Sequence, residues 1–365
     1  MDMTERRARM VLSGVKGVGP ITLRKQLERL GELKGVFDLT VDELYQSGWG
    51  RLGSSIHRDI RTMNFSQYES RLQKLGVCYI QEADEKYPPN LKHLRDAPLG
   101  LYFKGPPNAD WKPGIAIVGT RMPSGYGRKQ TSSFVDEFVR SGFQIISGLA
   151  LGIDSMAHRR AIELGGITSG VLGNGLDIVY PRENGDLYEK VKQSGGIWSE
   201  FPLGRRADRQ SFPQRNRLVA AMAEAVVVIE SGSKGGSLIT ARFAAELGKS
   251  VYVLPGRVDS PASEGCHALI RDGATLVSGP EDVLQDLEQI PLPLRSSWSE
   301  LSKVSRSVSK EAERIIEYIQ SEGPCFPDQL SEALEIPIQS LSQELICLEI
   351  DGLLGKELSG KLDLL

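Results

Sequence analysis

Short apolar runs alternate with segments of helical length through the middle of the chain. The runs that predict strands are IAIVG (115–119), FQIISG (143–148), TSGVLG (168–173), AVVVIE (225–230), VYVLPG (251–256) and ATLVS (274–278). The segments that predict helices are 126–141, 155–164, 215–223 and 237–247. Strands that alternate with helices need crossover connections, so the pattern predicts a mostly parallel sheet that is buried on both faces. Glycines at the strand ends predict tight turns at the edge where open α/β sheets bind ligands.

The regions that flank this α/β core have different patterns. The first 80 residues follow a helical pattern with glycine-rich breaks. The stretch after residue 289 is rich in Ser and Pro and predicts a linker. Three short helical patterns and a glycine-punctuated tail follow, which is typical of a winged helix. The predicted organisation is a helical domain (1–80), a Rossmann-like α/β domain (81–289), a linker (290–308) and a winged-helix domain (309–365).

Composition narrows the class of protein. No run approaches the ~18 apolar residues that a membrane span needs, and the N-terminus has no secretory segment. The four cysteines lie far apart and form no C-x-x-C pair, which argues against a disulfide scaffold or a cysteine-based zinc site. No G-x-G-x-x-G motif follows a strand, so no dinucleotide cofactor is predicted. These features predict a cytoplasmic protein without metal or cofactor.

The net charge of −3 is unevenly distributed. Residues 1–110 carry 17 basic and 14 acidic side chains, whereas residues 291–365 carry 7 basic and 13 acidic ones. A protein that binds a polyanion need not be basic overall if its positive charge is concentrated in one place. Contacts with a DNA backbone need cations, so the acidic tail favours protein contact or autoregulation over duplex binding.

Three glycine-rich turns follow predicted strands and open predicted helices. Gly119-Thr120-Arg121 follows the first of these strands, Ser147-Gly148 ends the second, and Ser233-Lys234 precedes helix 237–247. Main-chain N–H groups at a helix start suit an anion, and Arg121 adds a planar donor fork for a phosphate. For the turn that contains Ser233 and Lys234, the alternative is a glycine-rich turn chosen for flexibility.

Asp154 and His158 lie one helical turn apart and raise the question of a metal or acid–base pair. No third ligand stands at a suitable spacing. The sequence therefore favours Asp154 as the N-cap of helix 155–164 and His158 as a packed or surface residue.

The segment GRRADRQSFPQRNR (204–217) concentrates positive charge around one aromatic residue. Its arginines are Arg205, Arg206, Arg209, Arg215 and Arg217, and Asp208 is its one acid. Arginines can follow a phosphate backbone while Phe212 stacks a base, as in single-strand binding. Asn216 could bind a base edge or cap a helix that is predicted to begin near Arg215. The alternative is a solvated loop whose arginines pair with neighbouring acids and whose phenylalanine packs in the core; the charge density favours nucleic-acid binding.

Other motifs point away from catalysis. Gly17-Val18-Gly19 between two helical patterns resembles a helix-hairpin-helix turn, which either contacts a DNA phosphate or only packs. The chain has no G-x-S-x-G elbow, no H-E-x-x-H motif and no plausible Cys–His nucleophile pair. The sequence thus offers several phosphate-binding turns without a reaction centre.

The ordered set of motifs resembles the DNA-processing protein A (DprA/Smf) family. The matching segments are IAIVGTR, GFQIISGLALGIDSMAH, GNGLDIVYPREN, SEFPLG, FPQRNRLVAA, VIESGSKGGSLITARFA and VLPGRVDSPASEGCHALIRDGA. The resemblance implies an N-terminal helical domain similar to a sterile-alpha-motif fold, an extended Rossmann-like domain and a C-terminal winged helix. It also implies a non-enzymatic, homodimeric mediator that protects incoming single-stranded DNA and loads the RecA recombinase during natural transformation.

The resemblance also implies a set of DNA-binding residues. The phosphate cradle would be formed by Gly119, Thr120 and Arg121. Backbone and base would be held by Arg209, Phe212, Arg215, Asn216 and Arg217. The turns that border this pocket would contribute Ser147, Gly148, Ser233 and Lys234.

Two other functions remain open. The first is an enzyme on a related scaffold, such as a nucleotide phosphoribohydrolase similar to the lysine-decarboxylase-like (LOG) proteins. Their P-G-G-x-G-T-x-x-E signature carries a glutamate, but the corresponding turn here reads SGSKGGSLITA and lacks it. The second is a structural or partner-binding protein whose pocket has lost its ligand, and the arginine segment argues against that function.

Overall fold

The computed structural model describes residues 4–106 and 111–288, and parts of 312–364 with gaps. The chain divides into two compact units, Met1–Ser299 and Glu300–Leu365. Each unit has its own apolar core.

The larger unit begins with five helices, and a sheet whose strands mostly alternate with further helices follows them. Its helices are α1 (Glu5–Gly14), α2 (Pro20–Leu30), α3 (Val41–Leu44), α4 (Gly53–Thr62), α5 (Phe65–Leu75), α6 (Gly125–Arg140), α7 (Ile153–Glu163), α8 (Gly185–Gln193), α9 (Ser211–Met222), α10 (Gly236–Glu246), α11 (Glu264–Arg271) and α12 (Pro280–Glu288). Its strands are β1 (Cys78–Gln81), β2 (Gly100–Lys104), β3 (Gly114–Val118), β4 (Gln144–Ser147), β5 (Thr168–Leu172), β6 (Ile197–Ser199), β7 (Ala225–Val228), β8 (Val251–Val253) and β9 (Thr275–Leu276). Tight 3₁₀ turns cover Lys34–Asp38, Gly50–Leu52, Pro89–His93 and Arg182–Asn184, and a wider π-helical turn covers Tyr45–Trp49.

The nine strands form one sheet in the order β1-β2-β6-β5-β4-β3-β7-β8-β9. The strands from β6 to β9 in this order pair in parallel, whereas β2 pairs antiparallel with both β1 and β6. The prediction of a mostly parallel α/β sheet is therefore confirmed. The antiparallel edge formed by β1 and β2, and the three-residue strand β6, were not predicted.

Both faces of the sheet are covered by helices, as the continuous apolar runs predict. Along β3, Ile115 and Ile117 pack in one core with Phe134 of α6 and Ala157 of α7. The alternate residues Ala116 and Val118 belong to the core on the other face, which α9, α10 and α11 cover. This alternation follows the two-residue period of a strand.

The N-terminal region is helical up to β1, which begins at Cys78, inside the segment that was predicted to be helical. The side chains at the centre of its core are fully buried: Ala8, Leu12, Leu33, Leu44 and Ile56. An ion pair between Arg24 and Glu82, 2.8 Å long, joins α2 to the residue after β1. The names sterile-alpha-motif and helix-hairpin-helix remain predictions for this region.

The smaller unit has a helix, Pro327–Leu334, and two antiparallel strands, β10 (Leu354–Lys356) and β11 (Leu362–Leu364). Its described core includes Ile315, Leu330 and Leu362. The predicted linker lies outside the described residues. The winged-helix assignment stays a prediction. Among the described residues of both units, no helix combines the length and the apolar character that a membrane crossing requires.

Candidate functional site

The turns singled out by the sequence converge at one edge of the sheet. From β3 the chain builds the sheet outward through β4, β5 and β6, then returns to place β7 on the other side of β3. In such sheets ligands bind in the crevice outside the carboxyl ends of the strands, at the point where the strand order reverses. That point lies between β3 and β7.

A cleft occupies this position. It consists of two hollows of about 350 and 430 Å³ that share Arg121, Gly148, Ala150, Phe212 and Arg215. One hollow is further lined by Leu151, Leu172, Gly173, Asn174, Tyr180, Pro181, Arg182 and Glu183. The other is further lined by Val118, Gly119, Thr120, Asp154, Asn216, Val219, Gly232, Lys234, Gly235, Gly236, Ser237, Ile239 and Thr240.

The loop between β3 and α6 carries Thr120 and the exposed Arg121 into the cleft. The buried Glu230, which lies just after β7, holds this loop. Its carboxylate accepts hydrogen bonds from the Ser124 amide and hydroxyl, 2.9 and 2.5 Å long, and its carbonyl accepts from the Thr120 amide at 2.7 Å. The Ser124 hydroxyl also caps α6 by accepting from the Gly127 amide. The turn Gly119-Thr120-Arg121 is thus held in place by the protein's own hydrogen bonds.

The loop between β4 and α7 is the second wall. Within it Leu149 has φ 54°, a left-handed conformation that is uncommon for a residue with a side chain. The buried Asn184 holds this conformation, since its amide donates to the Leu149 carbonyl and the Ser155 hydroxyl, each at 2.9 Å. The carboxylate of Asp154 accepts from the Gly148 amide at 3.1 Å.

The sequence predicted Asp154 as the N-cap of the following helix, and this prediction is wrong. The helix α7 begins at Ile153 and its N-cap is Gly152, so Asp154 lies in the first turn and faces back toward the loop. Burial raises the pKa of the Asp154 carboxyl, and the nearby guanidinium of Arg215 partly opposes that shift. The preferred interpretation of His158 as a packed residue agrees with the structure: it is fully buried and its Nδ1 lies 2.6 Å from the Thr168 hydroxyl.

Arg215 forms the floor of the cleft. The side chain is only 6% exposed, and its Nη1 donates to the carbonyls of Gly148 and Val171. Burial lowers the pKa of the guanidinium, while the charge of Asp154 raises it. An arginine remains protonated despite such a shift. The result is a fixed positive charge at the point where the two hollows meet.

Aromatic side chains form the wall beside Arg215. The rings of Phe212 and Tyr180 have centroids 5.7 Å apart and an interplanar angle of 39°. Phe212 lies in the first turn of α9, which begins at Ser211, four residues before the predicted start. Pro213 causes no break because a proline in the first helical turn has no hydrogen-bond partner to lose. Asn216 lines the cleft and donates to the Gly236 carbonyl at 3.2 Å.

The start of α10 forms a further wall of the cleft. Lys234 is exposed, and Gly235, Gly236 and Ser237 line the cleft where the helix begins. The main-chain N–H groups of a helix start attract an anion. Across both hollows the basic lining residues are Arg121, Arg182, Arg215 and Lys234, and the acidic ones are Asp154 and Glu183. The cleft thus has excess positive charge although the whole chain is acidic.

The structure brings most of the predicted DNA-binding residues together but leaves others outside the lining. Ser147 is fully buried and its hydroxyl donates to the Ile117 carbonyl at 2.6 Å. Arg217 is 5% exposed and pairs with Glu200 and Asp96. Because these side chains are buried and already have partners within the protein, we remove both from the proposed contact set. Arg209 and Ser233 are exposed near the cleft but do not line it.

Sequence reasoning missed four residues of this site. Tyr180 and Arg182 line the cleft, and Glu230 and Asn184 hold its loops. Both Tyr180 and Arg182 fall within the GNGLDIVYPREN motif, so the motif marked the segment without marking the residues. Glu230 directly follows the apolar run of β7. An acidic residue at the end of a strand that is predicted to be buried needs a hydrogen-bond partner, and this signal could have identified Glu230.

The lining of the cleft combines an excess of basic side chains with two aromatic rings, a chemistry that suits anions and flat rings. Its acidic side chains are the buried, hydrogen-bonded Asp154 and the exposed Glu183. Within the described residues no group of three or more His, Cys, Asp or Glu side chains is arranged to hold a metal ion.

The α/β region matches a known family of proteins. Residues 78–288, more than half of the chain, match the family model described as DNA recombination-mediator protein A. Protein Smf of Synechocystis sp. is 31% identical over 393 residues, and the alignment covers 98% of each chain.

Solved structures of two DNA processing A proteins are among those that resemble this one. DNA processing protein A from Streptococcus pneumoniae has a TM-score of 0.66 and 30% identity, with coverage of 78% of this chain and 98% of that chain. A structure that addresses the single-stranded DNA binding mode of DNA processing protein A from Helicobacter pylori has a TM-score of 0.53 and 30% identity. Its match covers 58% of this chain and 96% of that chain.

Proposed function

Because the chain belongs to the DNA recombination-mediator protein A (DprA/Smf) family, we propose that its cleft binds single-stranded DNA. In this proposal the protein protects incoming single-stranded DNA and loads the RecA recombinase onto it during natural transformation. It acts as a cytoplasmic homodimer and not as an enzyme.

The observation that carries this proposal is the meeting of Arg121, Phe212, Arg215 and Lys234 in one cleft. Arginine and lysine side chains bind the phosphates of a strand, and aromatic rings stack its bases without regard to sequence. A duplex hides the faces of its bases, whereas a single strand can turn them toward Phe212 and Tyr180. The combination therefore favours a single strand over a duplex.

Each wall of the cleft has a part in the proposed complex. The exposed Arg121 and Lys234 contact phosphates, and the fixed charge of Arg215 attracts the strand to the floor. The start of α10 offers main-chain N–H groups to a phosphate, and the turn Gly119-Thr120 borders that position. On the opposite side Phe212 and Tyr180 hold bases.

The rival enzymatic function receives less support. A glycosidic hydrolase of the lysine-decarboxylase-like type needs a carboxylate in the turn after β7. Glu230, just after β7, is buried and does not line the cleft. The residues after it that line the cleft carry no carboxylate: Gly232, Lys234, Gly235, Gly236, Ser237, Ile239 and Thr240. Asp154 is buried and accepts a main-chain hydrogen bond, so it is poorly placed to move a proton to or from a substrate.

The test is fluorescence anisotropy of the purified chain with a labelled oligonucleotide, first single-stranded and then as a duplex, over a series of salt concentrations. Tight, salt-sensitive binding that prefers the single strand is expected. Equal binding to the duplex, or none to either, would contradict the proposal and make a nucleotide hydrolysis assay the next experiment. RecA filament assembly on oligonucleotides and sedimentation analysis test the recombinase and homodimer parts separately.

A further inference from the structure

We propose that the N-terminal helical region positions the arginine segment of the cleft through Tyr68 and Arg71 of α5. This inference rests on the proposed single-strand binding. It gives the N-terminal region a part in DNA affinity without any direct contact with DNA. A continuous series of hydrogen bonds from α5 to the start of α9 carries the argument.

The first connection runs through the hydroxyl of Tyr68. It accepts a hydrogen bond from the Leu203 amide at 3.1 Å and donates one to the Tyr102 hydroxyl, also at 3.1 Å. Tyr102 is fully buried in β2, so the donor–acceptor chain is anchored in the sheet. The main chain at Leu203 is therefore held from the side of the N-terminal region.

The second connection runs through Asp177. Its two carboxylate oxygens accept from the Gly204 amide at 2.9 and 3.0 Å, and one of them pairs with Arg71 of α5. The side chain of Asp177 is 8% exposed, whereas that of Arg71 is 54% exposed. Gly204 has φ 84°, a conformation that needs glycine, so Asp177 fixes a sharp turn.

The fixed turn leads directly to α9, the helix that carries Phe212 and Arg215. The Arg205 carbonyl accepts from the Gly175 amide at 2.8 Å, and the Arg205 guanidinium pairs with Asp208. The carboxylate of Asp208 in turn accepts from the Ser211 amide at 2.8 Å, at the first residue of α9. Phe212 follows at once. A shift at Leu203 or Gly204 thus has a direct route to the cleft.

The charge of Asp177 allows an experiment to separate a positioning role from a direct electrostatic effect on DNA binding. A carboxylate beside an arginine-rich segment repels a DNA strand, so its removal would strengthen binding if charge alone mattered. If Asp177 instead positions the segment, its removal weakens binding. The two interpretations predict opposite signs.

The experiment compares Asp177→Ala, Tyr68→Phe and the control Glu69→Gln by anisotropy with a labelled single-stranded oligonucleotide over a salt series. Glu69 also lies on α5, but it pairs with Arg7 of α1, at 2.8 Å, and not with the arginine segment. We expect Asp177→Ala and Tyr68→Phe each to weaken binding by roughly three- to tenfold, the change that corresponds to one lost hydrogen bond. Glu69→Gln is expected to stay within about twofold of the wild type.

The salt series adds a second measurement, the log–log salt slope, which a loss of stability does not change. Tyr68→Phe removes no charge, yet a displaced arginine segment loses phosphate contacts, each of which lowers the log–log salt slope by about 0.7. Unchanged affinity for Tyr68→Phe with unchanged or tighter binding by Asp177→Ala would overturn the inference. If Asp177→Ala does not fold, the conservative Tyr68→Phe decides alone. Absence of binding by the wild-type chain would instead overturn the proposed function.

Discussion

Arg215 and Gly148 are in such close contact that a Cβ atom at position 148 would lie 2.1 Å from Nη1 of Arg215. The same guanidinium donates to the Gly148 carbonyl. The absence of a side chain at 148 is therefore what allows a buried arginine to form the floor of the cleft.

Gly148→Ala is expected to displace Arg215 and to lower the free energy of unfolding by about 1–3 kcal/mol, the usual cost of overpacking. It is also expected to weaken single-strand binding, because the central charge moves. Urea unfolding and anisotropy measure the two effects. Gly185→Ala is the matched control, since a Cβ there meets nothing within 4 Å. Equal stability of the two variants would contradict the assigned role of the close contact.

Arg121→Ala is expected to weaken single-strand binding and to lower the log–log salt slope by about 0.7, because one phosphate contact is lost. The measurement is anisotropy over a salt series. Arg140 provides the control: it is exposed at the far end of α6 and pairs with Glu137. If Arg121→Ala and Arg140→Ala have the same slope, Arg121 does not bind a phosphate.

Phe212→Ala is expected to cost about 1–3 kcal/mol of binding free energy with little change in the salt slope, because stacking involves no counterion release. Phe212→Tyr keeps a ring and is expected to restore most of the affinity. The same anisotropy series measures both variants. A slope change as large as that of Arg121→Ala would exclude stacking as the role of Phe212.

Arg217→Ala is expected to lower the free energy of unfolding by about 3–5 kcal/mol, because it removes the partner of the Glu200 carboxylate, whose side chain is only 13% exposed. Burial already raises the pKa of Glu200, against the effect of Arg217. The combined change Arg217→Met with Glu200→Gln is expected to recover most of that loss. Urea unfolding checks the stability, and an altered salt slope in the folded combined variant would return Arg217 to the DNA-contacting set.

His158 is expected to make the stability depend on pH. Burial lowers its pKa from 6.5 to about 3, so the folded state binds fewer protons than the unfolded chain between these values. Its contribution is therefore complete above pH 6.5 and is lost as the pH falls toward 3, by up to about 1.4 kcal/mol per pH unit. His158→Asn keeps a polar group near Thr168 but does not titrate. The slopes of unfolding free energy against pH for both proteins test this, and identical slopes would contradict it.

Much of the α/β region was predictable because most of its strands are apolar runs that end at glycine-rich turns. Strands β4, β5, β7, β8 and β9 fall inside predicted runs, and β3 begins one residue before its run. The strand β6 has only three residues, and β1 and β2 lie at an antiparallel edge. Length does not separate these strands from the predicted ones, since β8 is as short as β6. What the sequence does not show is their pairing, because the partner strands lie far away along the chain.

The sequence by itself determined the chemistry of the site: glycine-rich turns at strand ends and five arginines around one phenylalanine. Only the tertiary structure decided which arginines face the cleft. Arg215 and Arg217 are two residues apart on one helix, and each residue turns the helix by about 100°, so the two side chains point in nearly opposite directions. Arg215 meets Gly148, while Arg217 meets Glu200 and Asp96. The partners that separate these roles come from distant parts of the chain, and the spacing along the sequence does not reveal them.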